Sequence, residues 1–261
     1  MSFYRPLFTI LTICLLLSCS RTKQVSSSYT SVPVEFEPFT SNWPNGDGSR
    51  IQTEHLNYFM TNDDEYFYLR IDFKSTQVYQ NIERYGFTVY FDAEDKFKRS
   101  FGITYPSGFV NQLVNVPGAY RAFFENPGWE NAPENLNLIE SIENNQHQQA
   151  MLMQRTDKNS SERPSFIGLN QLHAQGINLA LDQSSRNMSI AFKVPLESSR
   201  FHQFALDTKP GEQFNMGFEV KAPSLDEIDP DKDIDDDTRQ RIAYQLPSTF
   251  ERWMSVKLAH Q

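Results

Sequence analysis

Cysteine is almost absent from this 261-residue chain, in which it occurs only at Cys14 and Cys19. The sequence after Cys19 therefore excludes a disulfide framework, a thiolate metal site and a cysteine nucleophile. The five histidines are scattered without a His-Glu-x-x-His spacing for zinc, and no Gly-x-Ser-x-Gly motif marks a serine nucleophile. The sequence consequently offers little support for catalysis.

Clusters of basic residues are missing as well. The formal net charge is −9, and residues 226–237 alone hold eight acids and one lysine, so the rest of the chain is close to neutral. Nothing basic is grouped densely enough to bind nucleic acid. A nucleic-acid partner is therefore not expected.

The apolar run at residues 7–17 is too short to cross a bilayer, since a spanning helix needs roughly 20 apolar residues. Arg5 is the only charge before Cys19, and the run fits the hydrophobic region of a secretory signal. Because the run ends in Leu-Leu-Ser-Cys, the segment resembles a bacterial lipoprotein signal.

The lipoprotein resemblance implies cleavage after Ser18 and lipid attachment at Cys19, with the membrane as a partner through the anchor. It implies a place in the cell envelope, and Ser20 favours the outer membrane because it is not an inner-membrane retention residue of the Asp type. An ordinary signal peptide or an uncleaved anchor is the alternative. The polar residues that follow Cys19 predict a flexible tether. We therefore divide the chain into a signal, an anchor with its tether, and a folded domain: residues 1–18, 19–33 and 34–261.

Alternating apolar residues predict strands, most clearly at residues 66–73. Phe67, Leu69, Ile71 and Phe73 share one side, which we expect to face a core, while the mixed side faces water or a ligand. The Asn-Asp-Asp-Glu cluster before this segment is turn chemistry and predicts a hairpin with the preceding strand. Further strands are predicted at residues 56–61, 87–92, 101–105, 177–181, 188–194, 213–221 and 253–258.

Helical spacing is rarer than strand alternation. It indicates a short helix or a tight loop at residues 77–85, and it predicts a helix around Leu138, Ile139 and Ile142. Many short strands with few helices predict a mainly β fold, namely an antiparallel two-sheet sandwich with one or two short helices in its loops.

Several strand and turn motifs together resemble the β-sandwich of carbohydrate-binding modules of family nine, which is related to DOMON-like domains. The resemblance implies two packed sheets whose loops or concave face bind a sugar. The motifs that carry it are Trp43 with its following Asn-Gly, Asp63-Asp64-Glu65 with Tyr68-Leu69-Arg70, Gly86 to Asp92, Met216 to Val220, and Trp253 with Val256 and Leu258.

Aromatic residues in loops are the candidates for sugar contacts, because sugars stack apolar C–H faces on rings and place hydroxyls against fixed polar groups. Trp129, Tyr120 and Trp43 are the ligand-binding candidates. The alternative is that these rings only cover the core. Trp253 opens a strand and is interpreted as core or edge packing.

The acidic segment places carboxylates at alternating positions, a spacing that can wrap a calcium ion. Asp229, Asp231, Asp233 and Asp235 are the candidate calcium ligands, although the segment is not an EF-hand. The alternative is a solvated loop.

The sequence thus predicts a membrane-anchored, non-catalytic lipoprotein of the bacterial envelope that binds a glycan or polysaccharide, without a required cofactor. Two alternatives remain open. One is a structural or protein-interaction module without a sugar site, and the other is a glycan-active hydrolase, which would need two facing carboxylates.

Overall fold

The computed structural model describes residues 23–32, 34, 50–53, 56–93, 99–154, 164–184 and 187–261. The predicted signal sequence with Ser18, the anchor at Cys19 and the candidate Trp43 lie outside the described residues. Among the helices within these ranges, none is long and apolar enough to cross a membrane.

Two packed β-sheets form the body of the protein. The strands are, in chain order, β1 (Lys23–Ser26), β2 (Ser28–Tyr29), β3 (Arg50–Gln52), β4 (Leu56–Asn62), β5 (Tyr66–Phe73), β6 (Thr88–Asp92), β7 (Phe101–Thr104), β8 (Gln149–Gln154), β9 (Ser165–Gly168), β10 (Asn178–Ser184), β11 (Asn187–Pro195), β12 (Gln213–Val220) and β13 (Phe250–Lys257). Sheet A has the order β1-β13-β12-β6-β7-β8-β9. Sheet B has the order β10-β11-β5-β4-β2, and β3 also pairs with β4. Within these strands, only the β1–β13 and β2–β4 pairs are parallel, so the predicted mainly β sandwich is confirmed.

The core lies between the sheets and follows the predicted alternation. Phe67, Leu69 and Ile71 of β5 are fully buried. They face a layer of buried aromatic rings from sheet A. The Phe67 ring packs edge-to-face on the Phe214 ring of this layer, with the ring centroids 5.3 Å apart. This layer explains why the strands with the strongest alternation lie at the centre of both sheets.

The mixed side of β5 is less open to water than predicted. Tyr68 is fully buried because Val34 and Ala191 pack over it, and its hydroxyl donates to the Asp63 carboxylate at 2.7 Å. Burial and the hydrogen bond to Asp63 raise the pKa of Tyr68. Tyr66, Arg70 and Asp72 on the same side remain partly exposed.

The predicted flexible tether belongs to the sandwich from residue 23 onward. β1 pairs with β13 and β2 pairs with β4, while Ser27 between them donates to the side chain of Asn62. Val25 is 7% exposed. The prediction failed because backbone pairing at a sheet edge requires few apolar side chains, so a polar segment can still form a strand.

Helices are more numerous than the one or two predicted. They are α1 (Thr76–Tyr85), α2 (Phe109–Leu113), α3 (Ala119–Glu125), α4 (Leu136–Gln146), α5 (Leu169–Ala174), α6 (Leu225–Ile228) and α7 (Asp236–Gln245), with 3-10 turns at Trp129–Asn131 and Pro133–Asn135.

All of these helices except α5 gather at one end of sheet A, and we call this group the helical cap. α1 leads into the start of β6, α2 to α4 connect β7 to β8, and α6 and α7 connect β12 to β13. Because neighbouring strands here are antiparallel, all these connections leave sheet A at the same end.

Candidate functional site

An aromatic cluster on α3 forms the centre of the helical cap. Phe123 packs edge-to-face on Phe124 at 4.9 Å and on Trp129 at 5.9 Å between ring centroids. Gly128, with a φ of 84°, turns the chain so that the 3-10 turn beginning at Trp129 can follow α3 directly. Asn135 donates its side-chain amide to the Trp129 carbonyl at 2.9 Å, which fixes the turn.

A cavity of about 450 Å³ opens beside this cluster. Its volume lies in the range of roughly 300–1,000 Å³ that is typical of small-molecule sites. The lining combines aromatic rings with planar polar groups. The lining includes Arg84, Phe123, Phe124, Trp129, Glu130, Arg241 and Gln245.

The polar groups of the cavity come from three separate segments. The Arg84 guanidinium lies 4.8 Å from the centroid of the Phe123 ring and 3.3 Å from the Glu130 carboxylate. Arg84 and Glu130 are 43% and 49% exposed, so their ion pair is worth at most about 1 kcal/mol and can be exchanged for contacts to a ligand.

Arg241 connects the two helices that flank the cavity. Its Nη2 donates to the carbonyls of Phe124 and Glu125 at 3.3 and 2.7 Å. These carbonyls lie at the end of α3, so the Arg241 contact joins α7 to α3 and holds the cavity walls together.

The outer face of sheet A carries a second group of rings. Trp253, Gly217, Tyr90, Gly102 and Met153 face one another in a single row across five strands. The Trp253 and Tyr90 rings are nearly parallel, at 16° with centroids 5.9 Å apart. Trp253 therefore packs on the outer face of β13, which lies between β1 and β12, so it holds neither the core nor the edge position expected from the sequence.

This second group, like the cavity, combines one partly exposed tryptophan with buried rings. Tyr90 is only 5% exposed, its hydroxyl donates to Glu219 at 2.7 Å, and the Arg99 guanidinium lies 5.2 Å from its ring centroid. Arg99 also pairs with Glu219 at 2.5 Å and with Glu251 at 3.2 Å. Burial and the contact with Glu219 raise the pKa of Tyr90. These residues are largely occupied with one another.

The predicted ligand residues separate in the structure. Trp129 lines the cavity, whereas Tyr120 lines a different depression of about 420 Å³ together with Asn111, Lys221 and Glu227. Tyr120 packs edge-to-face on Phe124 at 5.5 Å, and burial raises its pKa. The two predicted residues therefore do not share one pocket.

The four candidate calcium ligands have other partners. Asp229 is fully buried, pairs with Arg239 and accepts the Asp233 backbone N–H at 3.1 Å. The Asp233 side chain pairs with Arg121 at 2.5 Å. Burial alone would raise the pKa of Asp229, but its hydrogen bonds outweigh that effect and lower the pKa.

The other two candidate calcium ligands, Asp235 and Asp231, do not join Asp229 and Asp233 in a cluster. Asp235 caps α7 by accepting the Thr238 N–H at 2.9 Å, and Asp231 is exposed. Within the described residues, no group of three or more His, Cys, Asp or Glu side chains could hold a metal ion. The predicted calcium cluster is therefore not formed, because these acids stabilise the loop and its helix instead.

Sequence patterns missed most of the polar groups of the cavity. Arg84 lies at the end of α1, and Arg241 and Gln245 lie on α7, more than 150 residues further along the chain. No local spacing connects such distant residues. The helical periodicity of residues 77–85 was the one signal that placed Arg84 on a helix.

The fold defines a β-sandwich domain with a helical cap. No family model matches the chain, and no curated protein sequence is similar to it. The solved structures that are similar to it include two of a family 9 carbohydrate-binding module from Caldicellulosiruptor kristjanssonii. The glucose complex has 10% identity and a TM-score of 0.39, and the match covers 92% of this chain and 97% of that one. The cellotriose complex has 11% identity and a TM-score of 0.39, covering 92% of this chain and 95% of that one.

Proposed function

We propose that the protein is a non-catalytic, lipid-anchored carbohydrate-binding protein of the bacterial cell envelope, and that the cavity beside Trp129 is its glycan site. The observation that carries the proposal is the combination of aromatic rings with planar polar side chains around one cavity of about 450 Å³. A sugar ring needs an apolar surface for its C–H face and directional partners for its hydroxyls.

The lining supplies both kinds of contact. Trp129 and Phe123 give the apolar surface, while Arg84, Glu130 and Gln245 offer donors and acceptors at the edges. Because the Arg84–Glu130 pair is exposed, hydroxyl groups can replace water around it at little cost. A binding role without hydrolysis follows from the same lining.

Glycoside hydrolysis generally uses a pair of carboxyl groups roughly 5–10 Å apart. Among the described residues that line the cavity, Glu130 is the only carboxylate. The cavity therefore favours binding over the hydrolase alternative.

Trp129→Ala is the direct test of the site. Purified protein is run in native gels that contain soluble polysaccharides. For each polysaccharide that retards the protein, titration calorimetry then measures the affinity. We expect Trp129→Ala to weaken binding at least about tenfold, equivalent to about 1.4 kcal/mol. Trp253→Ala is the matched control, since it removes the same side chain from the outer face of sheet A and should leave the affinity unchanged.

Two results would contradict the proposed site. Equal affinity of wild type and Trp129→Ala would move the site elsewhere on the protein. Absence of binding to a broad set of neutral and acidic glycans would favour a protein-interaction module, for which Tyr244 on α7, 92% exposed, offers an open aromatic contact.

The anchor is tested separately from the sugar site. Cells that express the full chain are labelled with an alkyne fatty acid, and the protein is recovered for detection of the lipid. We expect labelling of wild type and none of Cys19→Ser, which should be released from the membrane fraction. Equal labelling of both proteins would refute lipid attachment at Cys19.

A further inference from the structure

The start of the folded domain lies very close to the proposed lipid anchor. β1 begins at Lys23, which is opposite Met254 in the middle of β13. Cys19 is only four residues earlier, so even a fully extended chain places it within about 14 Å of the Lys23 Cα atom. A lipid on Cys19 therefore leaves no room for a long spacer between the bilayer and the sandwich.

The two strands nearest the anchor lie at one side of the sandwich. β1 is the outer strand of sheet A, and β2 lies at the edge of sheet B beside β4. A single residue, Ser27, links them, and it is fixed by Asn62 and by the Ala259 N–H, which donates to its hydroxyl at 2.9 Å. We call the side formed by β1 and β2 the N-terminal side.

The opposite side of the sandwich is formed by β9 in sheet A and β10 in sheet B. Six strand-to-strand steps separate β1 from β9. At about 4.8 Å a step, these two edges lie roughly 25–29 Å apart, the lower figure allowing for twist. The position of a strand in sheet A thus indicates its distance from the anchor.

Exposed groups on the N-terminal side suit a phospholipid surface. Lys23 and Lys257 are exposed on neighbouring strands, and Val32 is 69% exposed just after β2. In a chain of net charge −9, each such lysine near an anionic bilayer contributes about 1 kcal/mol of attraction. Exposed acids also lie on this side, namely Glu65, Glu212 next to Leu258, and Asp64, which accepts a hydrogen bond from Tyr29.

We propose that the domain rests against the bilayer on its N-terminal side, with β9 and β10 farthest from the membrane, an inference that depends on the lipid attachment at Cys19 proposed above. The strands then run along the membrane surface. The helical cap, which lies at the strand ends, consequently presents its cavity sideways to ligands close to the membrane.

The test compares two exposed serines at opposite edges of sheet A, Ser26 in β1 and Ser165 in β9. The natural chain has no cysteine after Cys19, so Ser26→Cys and Ser165→Cys each provide a single thiol for a fluorophore. The lipidated full chain is reconstituted into phosphatidylethanolamine–phosphatidylglycerol vesicles that carry a nitroxide on the lipid headgroup. We expect loss of fluorescence at Ser26→Cys and almost none at Ser165→Cys.

Equal quenching at the two positions, or stronger quenching at Ser165→Cys, would overturn the proposal. Mass spectrometry of the N-terminal peptide separates this failure from a failure of the anchor. If the lipid is present and quenching is equal, only the orientation is wrong; if the lipid is absent, the anchor proposal fails as well.

A longer tether provides a second variant that keeps both edges intact. Insertion of 20 glycine and serine residues between Thr22 and Lys23 adds a root-mean-square span of about 25 Å. We expect the insertion to reduce the quenching at Ser26→Cys toward the level at Ser165→Cys. Unchanged quenching would contradict the role assigned to the short tether.

Discussion

Gly217 supports the Trp253 ring in the middle of β12, and its replacement by alanine should destabilise the protein. An ideal Cβ at Gly217 would lie 2.8–2.9 Å from three atoms of the Trp253 ring system. The backbone of Gly217 is ordinary strand, so the restriction is one of space and not of conformation. The ring must therefore move if a methyl group is added.

Two opposing terms decide the magnitude. Glycine in a strand costs roughly 0.5–1 kcal/mol relative to alanine, which Gly217→Ala would recover. Forcing a methyl group against a packed ring costs typically about 1–3 kcal/mol. Because Trp253 also donates its Nε1–H to Glu251 at 2.8 Å, the ring cannot shift without disturbing that bond. The net loss should be about 1–2 kcal/mol.

Urea denaturation followed by circular dichroism measures the effect, and a double mutant isolates its cause. With Trp253→Ala the ring is gone, so Gly217→Ala in that background should be neutral or slightly stabilising. Gly168→Ala is the matched control, because its Cβ would meet nothing within 4 Å, and it should change stability by 0 to about 1 kcal/mol in the favourable direction. The reasoning would be refuted if Gly217→Ala did not lower the free energy of unfolding, or if it lowered it equally with and without Trp253.

Two further predictions concern ionisable groups and are checked by urea denaturation as a function of pH. Asp229→Asn should lower the free energy of unfolding far more than Asp231→Asn. Because the folded-state pKa of Asp229 is lowered, its contribution to stability is present above about pH 4 and disappears as the pH falls through that lowered pKa. Equal effects of the two variants would contradict the buried pairing of Asp229. Burial and the nearby Glu83 raise the pKa of Tyr105 to about 12, so its contribution is present below pH 10 and is lost between pH 10 and 12, roughly 2–3 kcal/mol in all. Tyr105→Phe should flatten the stability profile in that window while Tyr244→Phe should not, and identical profiles for both variants would exclude a shifted Tyr105.

Strong local patterns predicted the centre of the fold well. The alternation at residues 66–73 coincides with β5, and residues 188–194 lie within β11. The helix expected at residues 77–85 is α1, whose buried residues are Ile82 and Tyr85. In these segments the side chains that set the local period are the same ones that enter the core, so local and tertiary preferences agree.

Strands with weak apolar alternation were harder to predict, because their stability comes from the strands beside them. β8 reads Gln-Ala-Met-Leu-Met-Gln and was not among the predicted strands, yet residues 151–154 pair with β7 and residues 149–152 with β9. β1 and β2 were assigned to a flexible tether for the same reason. In each case the backbone of the adjacent strand provides the order, and that strand is distant in sequence.

The candidate site was only partly accessible to sequence analysis. Trp129 attracted attention because a tryptophan in a polar loop is unusual. Arg84 and Arg241 did not, since an arginine on a helix usually faces solvent and no spacing links the two. The calcium interpretation failed because alternate spacing of acids does not reveal that Asp229 turns inward to Arg239.

The cavity is well held by contacts to the sandwich, which matters for binding because a rigid site avoids the cost of ordering. The Glu83 carboxylate on α1 accepts the side-chain amides of Gln146 and Gln183, each at 2.9 Å, and lies 3.0 Å from His147 Nε2. Gln183 belongs to β10, so this cluster joins the helical cap to sheet B. Glu83 thereby fixes the end of α1 that carries Arg84, while the Arg84 side chain itself stays 43% exposed. The backbone that carries the cavity lining is thereby held in place before any ligand arrives, which lowers the cost of ordering it on binding.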